Sequence, residues 1–416
     1  MPMELRVTSM AYGGEGVGRW NGKAVFVPYA MPGESVTAEI IEDRGRYARA
    51  RLVQVTAPSA DRVDPPCPHF GPDRCGGCTW QHVRYRAQLD YKAGIVRDQL
   101  ARLGHITDPP VRATLGMDDP WGYRNHVQLA AEAGGRLGYQ AAGSHRTVVV
   151  AQCPIAHPLV TSMVSPPEGG SAWRLPPDLD GDWVRRAAPR AGINTGQRLL
   201  VLETWRQPPP VRGAWPFAVA VESGARVISL TGRPHLEERL GGRVFRYSPR
   251  SFFQVNTAQA ERLVELVAAY VDPQGDETLL DCFCGVGVFG LLLESWVRRV
   301  IGVEESASAI GDARINAKGV ADITFLHGQA QSVLPSLNEP VHSVVLDPPR
   351  EGCDPAVLKA LVDLAPRRIV YVSCDPSTLA RDVARLGEAG YALREATPVD
   401  MFPQTYHIET VALLTR

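Results

Sequence analysis

The sequence predicts a multidomain chain: a small N-terminal β-barrel, a central β-rich region with a cysteine cluster, and a C-terminal α/β domain built on a doubly wound sheet. Three observations carry this. Residues 1–58 hold five short apolar runs separated by glycine-rich turns, the pattern of a small barrel. Cys67, Cys75 and Cys78 then cluster, with Cys153 further on, in a stretch that is mostly strand-like as far as residue 250. Beyond it, the strand Thr278-Leu-Leu-Asp runs into Asp281-Cys-Phe-Cys-Gly-Val-Gly-Val-Phe-Gly, and a second strand ends in Glu304 about twenty residues later. A chain of 416 residues has room for about three such units.

Composition narrows the function classes. The net charge is −1, with 44 basic and 45 acidic residues, so any nucleic-acid binding has to come from local patches. Only Lys23, Lys92, Lys318 and Lys359 are lysines, which leaves 40 arginines, a ratio that reflects genome composition more than function. The start, Met1-Pro-Met-Glu-Leu-Arg-Val, lacks a signal pattern, and no apolar run approaches the length that spans a bilayer. The expectation is a soluble, cytoplasmic monomer with no membrane partner. In that compartment the eight cysteines are better read as metal ligands or catalysts than as disulfides.

In the first unit the runs are Leu5-Arg-Val, Tyr12-Gly-Gly-Glu-Gly-Val-Gly, Ala24-Val-Phe-Val, Ser35-Val-Thr-Ala-Glu-Ile-Ile and Tyr47-Ala-Arg-Ala-Arg-Leu-Val-Gln-Val. Arg44, Arg46, Arg49 and Arg51 flank Tyr47, which suits RNA and suits a solvated edge strand equally well. In the cluster, the glycines of Cys75-Gly-Gly-Cys78 leave the backbone free to wrap two sulfurs around one centre. Cys153, in Gln152-Cys-Pro-Ile-Ala-His, is the candidate fourth ligand. Three near cysteines and one far fit a cubane iron–sulfur cluster. They also fit structural zinc, for which His69, His82 or His157 could substitute.

Val83 to Leu103 reads as a helix with Leu89, Val96, Leu100 and Leu103 on one stripe and Gly104 as its stop. Proline-rich interruptions at 165–178 and 207–216 divide the strand-like region, where Trp173, Trp183, Trp205 and Trp215 read as core or interface. Trp121-Gly-Tyr-Arg-Asn-His is an aromatic and basic clump, able to meet RNA or to pack a strand start. Ser251-Phe-Phe-Gln-Val-Asn precedes a helix, Ala258 to Tyr270, that Asn256 or Thr257 would cap.

Gly285, Gly287 and Gly290 satisfy G-x-G-x-x-G ahead of a helix from Leu291, with Glu304 placed to hold ribose hydroxyls. The pattern does not separate NAD from S-adenosylmethionine, since both carry an adenosine ribose. Val341-His-Ser-Val-Val-Leu-Asp347-Pro-Pro-Arg ends a later strand in an acid on a rigid double proline, a turn suited to pinning a planar base beside a methyl donor. The next strand, Ile369 to Val372, delivers Cys374 onto a turn announced by Asp375-Pro376, where ligands sit in an open α/β sheet. A helix N-terminus or a cation there could make it a nucleophile; a small apolar plug is the plain alternative. Glu409 opens a terminal strand beside Ile408, Val411 and Leu413, either as a carboxylate of raised pKa or as an exposed strand residue.

Taken together, these motifs resemble the RNA uracil-5-methyltransferase family, in its TRAM-containing, iron–sulfur 23S rRNA branch. The resemblance rests on Cys67/Cys75/Cys78/Cys153, Ser251-Phe-Phe-Gln-Val-Asn, Asp281-Cys-Phe-Cys-Gly-Val-Gly, Asp347-Pro-Pro-Arg, Val372-Ser-Cys-Asp-Pro and Phe402-Pro-Gln-Thr-Tyr-His-Ile-Glu, and residues 1–58 are similar to a TRAM domain, an OB-like RNA-binding barrel. It implies a central domain over 59–250 holding a [4Fe-4S] cluster on those four cysteines. It also implies a Rossmann-like methyltransferase domain over 251–416, to which the 83–105 helix is lent. By the same resemblance Cys374 is the nucleophile and Glu409 the base. Gln254, Phe283, Gly285, Glu304 and Asp347 meet S-adenosylmethionine or the target base. Two positions depart from the family pattern: Val288 replaces an asparagine after the second motif glycine, and Gln329 stands where an Asn or Asp meets the adenine edge.

The partner implied is RNA, 23S rRNA first and the tRNA T-loop second. Three rivals stand beside this reading: a cytosine-5 RNA methyltransferase, an NAD-dependent oxidoreductase resting on the glycine pattern alone, and a non-catalytic, metal-stapled RNA-binding protein.

Overall fold

A computed structural model of the protein describes residues 2–164, 172–179, 181–205, 213–224 and 226–416. Of the expected proline-rich interruptions, 165–171 and 207–212 lie outside the described residues. The five N-terminal runs form β1 (Met3–Met10), β2 (Gly16–Trp20), β3 (Lys23–Val27), β4 (Ser35–Asp43) and β5 (Tyr47–Ala57), closed into a barrel in the order β1-β2-β3-β5-β4. Period-two alternation drives the closure, with Val7, Val25, Val27, Val36, Ala38, Ala48 and Ala50 wholly buried inside. Gly18 is needed where β2 passes β1, because a Cβ there would lie 2.3 Å from a Leu5 methyl carbon. In the arginine row, Arg49 pairs with Glu15, Arg51 with Glu39 and Arg44 with Glu42. Those pairs largely neutralise the cationic strand that the sequence suggested.

The central region begins with α1 (Tyr85–Arg102). It continues through β6 (Leu129–Ala131), β7 (Leu137–Gln140), β8 (Thr147–Val149), the short α2 (Pro158–Thr161), β9 (Val184–Ala191), β10 (Arg198–Thr204), β11 (Ala218–Ser223) and β12 (Arg226–Thr231). The sheet order is β12-β11-β10-β9-β6-β7-β8. Trp173 and Trp183 are buried in its core with Leu129, Leu137, Leu200 and Leu202. Trp205 is 70% exposed instead, roofed by the Arg185 guanidinium 5.0 Å from its ring centroid. A hairpin, β13 (Leu236–Leu240) with β14 (Arg243–Tyr247), then carries Leu240 and Phe245 into the core of the following domain.

That domain alternates helix and strand: α3 (Thr257–Val271), β15 (Thr278–Cys282), α4 (Val288–Leu293), β16 (Arg299–Glu304), α5 (Ala307–Asn316), β17 (Ile323–His327), α6 (Ala330–Val333), β18 (Ser343–Leu346), α7 (Pro355–Leu364), β19 (Arg368–Ser373), α8 (Pro376–Glu388), β20 (Ala392–Val399) and β21 (Glu409–Thr415). The sheet runs β17-β16-β15-β18-β19-β21-β20, parallel from β17 to β19, with β21 inserted antiparallel before β20. Counted within the domain this order is 3-2-1-4-5-7-6, whereas the dinucleotide fold runs 3-2-1-4-5-6. Strand residues alternate between two cores: Leu280, Ile301, Val344 and Ile369 face one, Leu279, Val300, Val345 and Val370 the other.

Two helix readings need correction. α4 starts at Val288 rather than Leu291, because Gly287 already adopts the left-handed cap conformation at φ 86°. In α1 the buried face is Ala87, Gln88, Lys92, Ile95, Val96 and Leu100, while Leu103 is 47% exposed. Lys92 goes inside because α1 packs on the C-terminal α/β domain, where its ammonium meets Asp400 at 2.5 Å with both side chains wholly buried. Periodicity cannot register a buried lysine whose partner lies 308 positions away.

Candidate active site

β19 delivers Cys374 to the carboxyl edge of the sheet, and the sequence stops the strand there. Pro376 sits at the first helical position of α8, and Asp375 caps that helix by accepting from the Ser377 and Thr378 amides at 2.9 and 3.1 Å. Ser373 Oγ accepts from the Asp375 amide and donates to its carbonyl, which closes the turn around the sulfur. The free oxygen of the Asp375 carboxylate accepts a 2.6 Å bond from the hydroxyl of Tyr12, in the barrel loop between β1 and β2. Burial pushes the Asp375 carboxyl up, but the bonds from Ser377, Tyr12 and Thr378 outweigh it and hold the group below the usual carboxylate range.

Cys374 itself is half-buried. Burial, then the Glu409 and Asp347 carboxyls, push its thiol up to about 12, against the pull of the Arg350 guanidinium. Glu409 opens β21 at 4% exposure, so the exposed-strand alternative fails: β21 is an inner strand, flanked by β19 and β20. Its carboxyl is held well above the ordinary value by burial and by Asp347, again opposed by Arg350. Asp347, on the turn after β18, is raised to about 7 by burial and by Asp281 and Glu304. One thiol, two reluctant carboxylic acids and one guanidinium therefore share an electrostatic neighbourhood. His407 joins it, its Nδ1 3.4 Å from an Arg350 nitrogen. Sequence reasoning did not single out Arg350 or His407, although both lie inside quoted motifs; Tyr12 left no signal, being 363 positions from its partner.

The glycine loop lies beside this site. Gly285, at φ 55°, donates its amide to Glu304 Oε2 at 3.0 Å, and Ser306 donates to Oε1 at 2.7 Å, so the acid at the end of β16 is oriented by backbone. Phe283 (φ 65°), Val303, Glu304, Gly328, Gln331 and Pro349 line a cleft of about 180 Å³ beyond the strand ends, open to solvent on one side. Gln329 is exposed at the cap of α6, and Gln331, which donates to its side chain at 3.3 Å, is the glutamine in the cleft wall. Gln254 is placed by Asn125, whose side chain donates to its carbonyl at 2.9 Å. That bond and the Tyr123 hydroxyl on the Pro403 carbonyl, at 2.9 Å, make the Trp121–His126 clump a joint between the central and catalytic regions.

Cys67, Cys75, Cys78 and Cys153 line a single cavity together with Gln81, Arg124 and Tyr139. All four are free thiols, and burial pushes Cys75 up to about 11 and Cys78 higher still. Gly76 is fitted tightly, since a Cβ there would lie 3.0 Å from the Ala142 amide nitrogen. Among the described residues no group of three or more His, Cys, Asp or Glu side chains forms a ready-made metal site, so the four cysteines share a cavity without converging on one point. No helix among them is long and apolar enough to cross a membrane.

Compared with known proteins, residues 233–416 match the model of the tRNA (Uracil-5-)-methyltransferase family and residues 3–53 that of the TRAM domain. An uncharacterized RNA methyltransferase of Thermosynechococcus vestitus is 37% identical, over 99% of this chain and 98% of its own. The chain belongs to the RNA uracil-5-methyltransferase family. Another uncharacterized RNA methyltransferase, of Halalkalibacterium halodurans, is 35% identical over 99% of this chain and 96% of its own. The tRNA (uracil-54, C5)-methyltransferase of Pyrococcus abyssi, solved in complex with S-adenosyl-L-homocysteine, is similar in structure, with a TM-score of 0.76 and 27% identity over 99% of this chain and 100% of that one. As an RNA uracil-5-methyltransferase the protein is an S-adenosylmethionine-dependent enzyme with a TRAM barrel and an RNA substrate. Membership displaces the cytosine-5, hydride-transfer and non-catalytic rivals.

Proposed function

We propose that the protein methylates carbon 5 of one uridine in 23S rRNA, acting as a cytoplasmic monomer. Residues 1–58 hold the RNA, 59–250 carry the cysteine cavity, and 251–416 perform the transfer. Carbon 5 of uracil is too weak a nucleophile to take a methyl group unaided. Cys374 Sγ adds to carbon 6, and the displaced electron pair makes carbon 5 the attacking atom. Carbon 5 takes the methyl group from the sulfonium of S-adenosylmethionine, which departs as S-adenosylhomocysteine. Glu409 then removes the carbon 5 proton, and the electrons of that C–H bond expel the sulfur. A buried glutamate of raised pKa is a base matched to this task, and Arg350 offsets charge as the thiolate forms. Gln254 and Asp347 position the donor or the base. Phe283, Gly285 and Glu304 hold the adenosine, with the adenine edge met by the Gln329–Gln331 pair. The target base leaves its stack to reach this site.

The observation that carries the reading is the delivery of Cys374 by β19 to a strand end shared with Glu409, Asp347 and Arg350. Cys67, Cys75, Cys78 and Cys153 would hold a [4Fe-4S] cluster: four unpaired thiols around one cavity are the donor set such a cluster takes. Its role would be structural, because methyl transfer is redox-neutral. The rRNA target rests on the resemblance of the four-cysteine set and TRAM barrel to the 23S rRNA branch of the family. The Pyrococcus abyssi relative, named for tRNA uracil-54, favours a tRNA T-loop target as the second reading. Mapping 5-methyluridine in a deletion strain decides between them. The expected result is loss at one 23S rRNA position; loss in tRNA selects the second reading, and no loss anywhere refutes both.

A further inference from the structure

We propose that Thr79, Gln88 and Gln404 are positioning residues for Glu409: through the loop that runs into β21, the cysteine-bearing segment and α1 fix where the base stands. This rests on the RNA-methylation reading, in which Glu409 removes the carbon 5 proton, and adds what holds that carboxyl in place. The loop, residues 400–408, joins β20 to β21, and Glu409 is the first residue after it. Glu409 lies on the terminal rung of the β20–β21 ladder, opposite Val399, where strand pairing restrains least. Gln404 sits mid-loop at φ 68°, in the left-handed region that a glutamine rarely occupies, and is 3% exposed. Such a backbone persists only where its surroundings over-determine it.

The surroundings here do so. Gln88, wholly buried on α1, forms a reciprocal pair with Gln404: its Nε2 donates to Gln404 Oε1 at 2.9 Å, and the Gln404 backbone amide donates to Gln88 Oε1 at 3.0 Å. The Gln404 carbonyl accepts from the Thr79 and Trp80 amides, both at 3.0 Å, and Thr79 Oγ1 accepts from the Tyr406 amide at 3.0 Å. Thr79 follows Cys78, so the loop hangs directly on the segment that lines the cysteine cavity. Lys92 Nζ holds the Phe402 carbonyl at 3.1 Å, beside the bond from Tyr123 to Pro403. The barrel closes the other side: Trp80 Nε1 donates to the Gly14 carbonyl at 3.1 Å, and a Cβ on Gly14 would lie 2.8 Å from Tyr406 Cβ. Buried amides stripped of these partners are costly, so the network admits one arrangement of the loop. From Tyr406 the chain passes through His407, whose ring meets Arg350, to Glu409.

The carbon 5 proton leaves after methyl transfer, and its departure expels the sulfur. A displaced base therefore leaves Cys374 bonded to carbon 6 of a ring already methylated, a signature that a general loss of structure lacks. The test uses the full-length protein, S-adenosylmethionine and an RNA hairpin carrying the uridine located by the mapping above. Single-turnover methyl transfer, release of methylated RNA and covalent adduct on denaturing gels are measured for wild type, Thr79→Val, Thr79→Ser and Gln88→Leu. Thr79→Val and Gln88→Leu are expected to release product about fivefold more slowly and to accumulate adduct, with methyl transfer within about twofold of wild type. Thr79→Ser keeps the hydroxyl and should behave as wild type. Release that slows without a rise in adduct, or that is unchanged in both variants, would overturn the positioning role. Melting curves identify a misfolded variant, and the other then decides. Failure of the underlying reading appears separately, as wild-type protein that leaves the hairpin unmethylated or a Glu409→Gln protein that releases product as wild type does.

Discussion

Replacing Tyr12 by Phe removes one oxygen from a barrel loop and should slow chemistry in a different domain. The lost contact is the 2.6 Å bond to Asp375, the residue that follows Cys374 and caps α8. Hydrogen bonds to charged groups contribute about 1.5–3 kcal/mol. Asp375 is only half-buried and keeps the bonds from Ser377 and Thr378, so solvent and the cap replace part of this, and about 1 kcal/mol is a fair expectation. Without the phenol, the Asp375 charge beside the sulfur is less well neutralised, which raises the Cys374 thiol further and leaves its turn looser. The rate of covalent adduct formation with 5-fluorouridine RNA at saturating S-adenosylmethionine should fall about fivefold, while RNA affinity stays within about twofold. The measurement is single-turnover adduct formation alongside equilibrium binding to the same RNA. An unchanged adduct rate, or a loss confined to RNA affinity, would refute the claim that the barrel positions the nucleophile.

Other outcomes follow from the same geometry. Cys374→Ala should abolish methylation and the 5-fluorouridine adduct while RNA binding persists; residual methyl transfer would displace Cys374 as nucleophile. Because the Cys374 thiol is pushed up to about 12, its thiolate fraction grows about tenfold per pH unit below that value, so wild-type adduct formation should accelerate steadily between about pH 6 and 9. Asp281 is raised from 3.8 to about 7, mainly by burial, so the folded state holds its proton more tightly than the unfolded chain does. Its stabilising contribution is therefore full below about pH 4 and fades as the pH rises through about 7; in urea unfolding of cofactor-free protein, Asp281→Asn should flatten that decline. Lys92→Ala strands a wholly buried Asp400 and should cost about 3–5 kcal/mol in the same assay, with the paired change Lys92→Met, Asp400→Leu costing much less. Anaerobically purified protein should contain iron and acid-labile sulfide in equal amounts, and Cys78→Ser should lose both.

Much of the architecture was legible because the signals are local. The barrel alternation, the cap at Asn256, the glycine loop before Glu304 and the strand that ends at Cys374 each depend on residues adjacent in sequence, whose period and turn chemistry admit few alternatives. The readings that failed concern side chains whose environment is made elsewhere. Arg49 and Arg51 looked available to RNA until Glu15 and Glu39 were brought beside them. Leu103 looked buried because a stripe cannot show where the neighbouring domain stops, and Glu409 was left between a buried acid and an exposed strand residue because nothing in a lone strand tells an edge from a centre.

The sequence by itself determined the order of the units, the residues that reach the strand ends (Cys374, the acids and the glycines among them) and the four cysteines set apart from them in the central region. Only the tertiary structure decided their protonation and their company. Burial and through-space charge set the acidity of Cys374, Glu409 and Asp347, and those depend on which strands are neighbours. The contact of Tyr12 with Asp375 and the pairing of Gln88 with Gln404 likewise exist only where separately folded parts of the chain meet, since desolvation and Coulomb interactions follow distance in space rather than position along the chain.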